Sequence, residues 1–237
     1  MDTEDGAAEA PETTTTLRLS NDKLTPAGAL LGLRQGDVLV AVNGKPFAGN
    51  GPALQERFKQ AAGRPLALTF RRRSIDVTVL ADHANLGRWE VAPAVLDWDG
   101  ERQDPDTLRN WEIYRDEEGR YDLQPTQPSM LVLLCPPLWL MQYRLWVPAM
   151  AITSAIAVSA AIWIFLVPFV WVMAGMILKR TGPTLFRADR VSRGLTAYAT
   201  VAAGSEAGAH AAYGKIEPKG QFVFGPERPP IAEETEI

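Results

Sequence analysis

Between residues 17 and 82, apolar and polar positions follow the short periods of a small mixed fold. Val38-Leu39-Val40-Ala41-Val42 is an unbroken apolar run, the pattern of a buried strand. Asn43-Gly44 follows, and both residue types accept the positive φ of a tight turn. Gly36 frees the chain to bend into that strand, and Asp37 is placed to accept backbone N–H groups at the bend. Over residues 52–62 the spacing changes to that of a helix. Leu54, Phe58 and Ala61 share one face, and Gly63 ends it. Leu66, Leu68 and Phe70 alternate, as do Ile75, Val77 and Val79, which predicts two strands joined around an exposed tip at Arg71-Arg72-Arg73-Ser74.

A second pattern dominates the C-terminal half. Residues 145–178 are 34 positions without Asp, Glu, Lys, Arg or His, and about 20 apolar residues suffice to cross a bilayer as a helix. The run predicts a transmembrane α-helix or a membrane hairpin, with Trp146 and Trp171 near the interfaces. Ala151, Ala155 and Ser159 recur every fourth residue, as do Ala149, Thr153, Ala157 and Ala161; such a strip lets another helix approach closely. Pro168 is expected to kink the helix or begin its exit. Residues 130–144, apolar but broken by Pro136 and Pro137, read as an interfacial segment.

Charge gives conflicting signals on topology. Lys179, Arg180, Arg187, Arg190 and Arg193 follow the apolar run, whereas Arg144 alone precedes it closely, so the C-terminal side is expected in the cytoplasm. The acidic N-terminus (Asp2, Glu4, Asp5, Glu9, Glu12) has no apolar core and is not a signal peptide, which favours a cytoplasmic N-terminal domain as well. A hairpin satisfies both, but its arms are only about 25 Å each by helix rise. One pass and hairpin both stay open. Arg187 to Arg193 reads either as a contact to anionic headgroups or as a solvated face.

The remaining segments complete the organisation. Residues 1–16 form an acidic, Thr-rich tail. Residues 83–129 form a linking appendage: Trp89-Glu90-Val91 is placed to extend the sheet, 97–106 is an acidic loop, and Trp111 to Tyr114 and Arg120 to Leu123 flank a turn with Gly119 at positive φ. Residues 179–237 hold a basic stretch, a strand over 195–201, a helix over 205–213 capped by Ser205, and an acidic tail.

The segment Pro26-Ala27-Gly28 … Gly32-Leu33-Arg34-Gln35-Gly36-Asp37-Val38-Leu39-Val40-Ala41-Val42-Asn43-Gly44-Lys45-Pro46 resembles the core of a bacterial-type PDZ domain. The resemblance covers residues 17–82. It implies a small β-sandwich or partly open barrel with two helices that binds extended C-terminal peptides by adding a strand to a sheet edge beside a helix. It also implies that the groove helix is 52–62, with Leu54 and Phe58 nearest the ligand or simply in the core. The peptide's carboxylate is normally held by a glycine-containing loop just before the pairing strand. That strand is expected at Leu17-Arg18-Leu19-Ser20, with no glycine nearer than Gly6, so the loop is missing, displaced or rebuilt; Arg18 is the candidate to compensate. Thr235-Glu236-Ile237 fits the Ser/Thr-x-hydrophobic pattern of many PDZ ligands.

Composition excludes more than it selects. The chain has 237 residues, 22% charged and 46% hydrophobic, with net charge −4, so it has no general attraction to nucleic acid. Its mean hydropathy of −0.08 hides the concentration of apolar residues in one block. Cys135 is the single cysteine, and His83 and His210 have no metal-ligand spacing. There is no His-Glu-x-x-His, Gly-x-Ser-x-Gly or phosphate-binding loop. Asp97, Asp99, Asp104 and Asp106 lack the glycine and final glutamate of an EF-hand.

The sequence thus predicts an α+β chain: a PDZ-like β-sandwich with two helices, a β-hairpin appendage and a transmembrane element, integral to a bacterial-type inner membrane. The expected role is a non-catalytic, membrane-anchored adaptor without metal or cofactor. Its partners would be the lipid bilayer and membrane or membrane-associated proteins, with self-association a further option. The alternatives are an accessory subunit of a larger membrane complex, in which the PDZ-like domain is a packing module, and a regulatory subunit of a membrane protease.

Overall fold

Alternation near the N-terminus produces the first strand of a mixed sheet. In a computed structural model that describes residues 15–95, 98, 100 and 102–225, β1 (Thr15–Leu24) is followed by a short helix α1 (Pro26–Leu30) and β2 (Val38–Val42). Then come β3 (Lys45–Pro46), α2 (Gly51–Gln60), β4 (Leu66–Arg72), β5 (Ile75–Ala81) and β6 (Gly87–Pro93). The strands form one six-stranded sheet in the order β5-β4-β2-β1-β6, with β3 paired to β2, rather than two facing sheets. The turn between β2 and β3 is the expected one, with φ of 51° at Asn43 and 66° at Gly44. Asn43 also ties the turn to β4: its side-chain oxygen accepts the Ala67 N–H at 2.9 Å.

The chain divides into two compact units. The first runs to Leu108 and includes Ala199–Ile216; the second holds Arg109–Tyr198 and the residues from Glu217 on. In the first, Leu17, Leu19, Leu39, Leu54, Leu68, Phe70 and Val79 are the buried core. Asp37 organises the bend before β2. It accepts the Arg34 N–H at 2.8 Å and two bonds from Arg72, at 2.9 and 2.7 Å, while Arg72 also donates to the Gly32 carbonyl at 2.9 Å. The expected exposed arginine tip is therefore only partly so: Arg72 is drawn into a buried ion pair, and Arg73, at φ 57°, occupies the turn itself. The helix capped by Ser205 is α7 (Glu206–Ile216), with the Gly208 N–H donating to Ser205 Oγ at 3.1 Å.

The second unit begins with the hairpin β7 (Arg109–Arg115) and β8 (Arg120–Pro125), with Gly119 at φ 86° in the turn. Four helices follow: α3 (Leu131–Leu134), α4 (Pro136–Gln142), α5 (Trp146–Ile162) and α6 (Leu166–Ser192). The strand β9 (Thr196–Ala203), whose first three residues belong to this unit, pairs beside β7, and β10 (Gln221–Phe222) pairs parallel to β8.

The charge-free block does not form the expected transmembrane helix. Among the described residues, no helix is long and apolar enough to cross a membrane. The run breaks at Trp163, which turns to extended geometry (φ −165°, ψ 120°). α6 restarts at Leu166 with Pro168 in its first turn, where a missing N–H is tolerated. The 17 residues of α5 span about 25 Å, short of a hydrocarbon core about 30 Å thick. With the spanning helix goes the basis for placing the chain as an integral protein of an inner membrane.

The neighbouring expectations change too. Residues 130–144 form α3 and α4 around a core instead of a surface segment: Trp139 and Leu140 are fully buried with Val132, Leu178 and Phe186. Trp139 meets Tyr143 and Phe186 edge-on at 5.4 and 5.1 Å. The close helix contacts are made by Gly175 and Gly182 of α6. A Cβ on Gly182 would lie 2.8 Å from the Trp139 ring. Of the strip expected to pack, Ala151 and Ala155 face outward and only Ser159 is buried. The cations counted for topology are largely consumed by ion pairs. Arg187 binds Glu112, Arg190 binds Asp122 at 2.6 Å and Asp189 at 2.6 Å, and Arg193 binds Asp189 at 3.0 Å. The acidic N-terminal tail up to residue 14, Asp97, Asp99 and Thr235-Glu236-Ile237 lie outside the described residues.

Candidate functional site

Strand addition needs a sheet edge, and the six-stranded sheet ends on β5 at one side and on β6 at the other. The strand expected to pair with a ligand, β1, is occupied on both sides, by β2 and by β6. Its Leu17 and Leu19 are core residues. Arg18 holds Glu90 of β6 at 3.0 Å, and Ser20 Oγ donates to the same carboxylate at 2.6 Å. These two hydrogen bonds, the one from Ser20 first, hold the Glu90 carboxyl below its usual range. They clamp β6 to β1 on the face away from the core. Around Arg18 and Leu19 both sides of β1 are taken, by β2 with the bend before it and by β6.

β6 is an end strand of the sheet. Antiparallel partners share a face, and the register pairs Leu17 with Val91 and Leu19 with Trp89. Val91 and Trp89 therefore point to the same side as the buried leucines. Yet Val91 is 65% exposed, so the core face of the sheet is uncovered along its last strand. Trp89 is fixed by stacking on Phe70, 6.2 Å between centroids, and by donating its indole N–H to the Ala84 carbonyl at 2.9 Å.

α2 is held at the far end of β6. Asn50 caps it by accepting the Ala53 N–H at 3.1 Å. The Gly49 N–H donates at 2.7 Å to the carbonyl of Thr15, the residue opposite Pro93. Leu54 is fully buried, and Phe58, one turn on, is half-buried on the same face. Leu54 is thus a core side chain, and Phe58 is the member of the pair with accessible surface.

Residues 82–87 form the loop that enters β6. It runs from β5 into β6, ends on Gly87, and is clamped from below by the start of α1. Thr25 donates its hydroxyl to the Asn85 carbonyl at 2.9 Å and its N–H to the Leu86 carbonyl at 3.2 Å. Gly28 allows that approach: a Cβ there would sit 1.9 Å from the Leu86 oxygen. Gly87, two residues ahead of the alternating Trp89-Glu90-Val91, is the sequence signal for this loop.

Among the described residues no group of three or more His, Cys, Asp or Glu could hold a metal ion. A cavity of about 670 Å³ involves Lys45, Arg57, Gln60 and residues 102–105, and no residue of β6 lines it.

A comparison with protein families decides the first unit: residues 26–72 match a family described as PDZ domain. The chain carries a PDZ domain. The match runs from α1 to the end of β4, so β1, β5 and β6, which complete the sheet, lie outside it. No curated protein matches the chain. PDZ domains bind protein partners and are typically interaction modules without catalysis, which gives this chain a protein-interaction role.

Proposed function

We propose that the chain is a non-catalytic adaptor whose PDZ domain takes an extended segment of a partner protein along the outer edge of β6. The supporting observation is the combination of an end strand with an uncovered core face, Val91 foremost, while β1 has no edge to offer. A peptide adding antiparallel to β6 places its C-terminus beside Gly87. There the clamped 82–87 loop stands where the family's carboxylate-holding loop would. In this reading Val91 offers the apolar contact beside the added strand, Phe58 of α2 is the candidate second contact, and backbone hydrogen bonds along β6 supply affinity.

The alternative of a packing module without a free groove fits poorly with an exposed Val91 on an end strand. Fluorescence anisotropy with a library of labelled C-terminal peptides tests the choice. Hits are expected to weaken at least tenfold when the peptide is amidated, and at least tenfold with Val91→Asp, whose exposed position leaves folding intact. No binder in the library, or binders indifferent to Val91→Asp, would leave the packing-module reading standing.

A further inference from the structure

The second unit exposes an apolar face that its own fold does not cover. The inward side of α5 carries Leu145, Ala149, Ile152 and Ser159. Its outward side presents Val147, Met150, Val158 and Ile162, and the bend to α6 adds Trp163 and Phe165. These are not grazing exposures: Val147 is 80% exposed, and Ile162 and Phe165 are each 71% exposed. We infer that this outward face of α5 and the adjoining bend form the interface of a homodimer, one copy of the chain packing its α5 against that of a second.

Area is the first argument. At those exposures the six residues present roughly 850 Å², comparable to the about 800 Å² that each partner of a standard interface buries and beyond the ~300–600 Å² of the largest patch on a typical monomer. Charge is the second. No ionisable residue lies between Arg144 and Lys179, so two copies meet along this face without like charges opposed or a charge buried unpaired. A partner of different sequence gains nothing here from electrostatic matching, whereas self-complementarity is what a two-fold interface requires. Shape is the third. The outward stripe recurs at helical spacing, with Ala151 and Ala155 inside it, which permits close approach of a second helix. Such a dimer carries two PDZ domains, so a partner with two copies of a target segment is bound with avidity.

Sedimentation velocity on the full chain tests the inference. The wild type is expected to sediment as a dimer at 10 µM, and V147E/V158E as a monomer with an unchanged circular dichroism spectrum. A bismaleimide cross-linker is expected to give covalent dimers with M150C in a C135S background and none with C135S alone. A wild type that stays monomeric at 10 µM overturns the inference. If that monomer also floats with phosphatidylcholine vesicles, the face belongs to a lipid surface instead. A dimer that V147E/V158E leaves intact, with no cross-link at M150C, overturns it equally by placing the contact elsewhere.

Discussion

Among the described residues each unit holds a buried carboxylate–guanidinium pair, and the sequence signals the two unequally. In the first unit Asp37, 2% exposed at its side chain, meets Arg72 at 2.7 Å. In the second Asp122, 6% exposed, meets Arg190 at 2.6 Å. Both pairs pin a distant element: the β4–β5 hairpin to the bend before β2, and the C-terminal end of α6 to β8. Asp37 sits in a Gly-Asp motif just ahead of an apolar strand, so its role as a backbone acceptor was visible. Asp122 sits in no motif, and in the sequence Arg190 is one of several cations that follow an apolar run. A charge next to a hydrophobic stretch is thus informative only once its partner is known.

Removing one member of either pair is the strongest way to test their equivalence. Asp37→Ala leaves the buried Arg72 guanidinium without its carboxylate and is expected to cost about 3–5 kcal/mol in urea unfolding, whereas Asp122→Ala leaves Arg190 with Asp189 as its remaining carboxylate partner and is expected to cost less. The pairs differ in one respect. Burial raises the Asp122 pKa against the pull of Arg190, so replacing both Asp122 and Arg190 by apolar residues should recover most of the loss. Asp37 accepts the Arg34 N–H at 2.8 Å across the bend before β2, whereas the N–H that Asp122 accepts, at 2.9 Å, is that of its own neighbour Leu123, so the double replacement at Asp37 and Arg72 should recover less. Equal recovery would remove the distinction.

Gly28→Ala is the next largest effect and is confined to the first unit. The added methyl collides with the Leu86 carbonyl, so a destabilisation of about 1–3 kcal/mol is expected. Peptide affinity should fall together with it, because the displaced segment leads into β6. Unchanged affinity in a folded Gly28→Ala protein would show that the 82–87 loop takes no part in binding.

The smallest effect separates a surface clamp from the buried pairs. The Glu90 pKa lies below its usual value of 4.5, so its hydrogen bonds to Ser20 and Arg18 stabilise the fold above that pH and are lost as the pH falls through the lowered value. The stability difference between wild type and Glu90→Gln is therefore expected at pH 7 and should close well below pH 4.5. A difference that persists in acid would mean the clamp does not depend on the carboxylate charge.

Much of the first unit was readable because its signals are local. The Asn43-Gly44 turn, the Asp37 bend, the helix carrying Leu54 and Phe58, and the β4–β5 alternation each lie within a few residues of what they determine. The binding edge was not local. Whether Leu17-Arg18-Leu19 or Trp89-Glu90-Val91 closes the sheet depends on a pairing across some seventy residues, and alternation reads the same in an inner strand and an outer one. In the second unit the apolar count over 145–178 was correct, but continuity of the helix was not in the count. Pro168 predicts a kink or an exit near its own position, and the break falls just ahead of it, at Trp163.

Local chemistry therefore specified which stretches become strands, turns and helices, because propensity and hydrogen-bonding needs act over a handful of residues. Tertiary structure decided that β6 rather than β1 forms an edge of the sheet, that Arg187, Arg190 and Arg193 are paired, and that Trp139 lies in a core. Edges, ion pairs and burial are properties of what lies opposite a residue, and that neighbour is set by the fold.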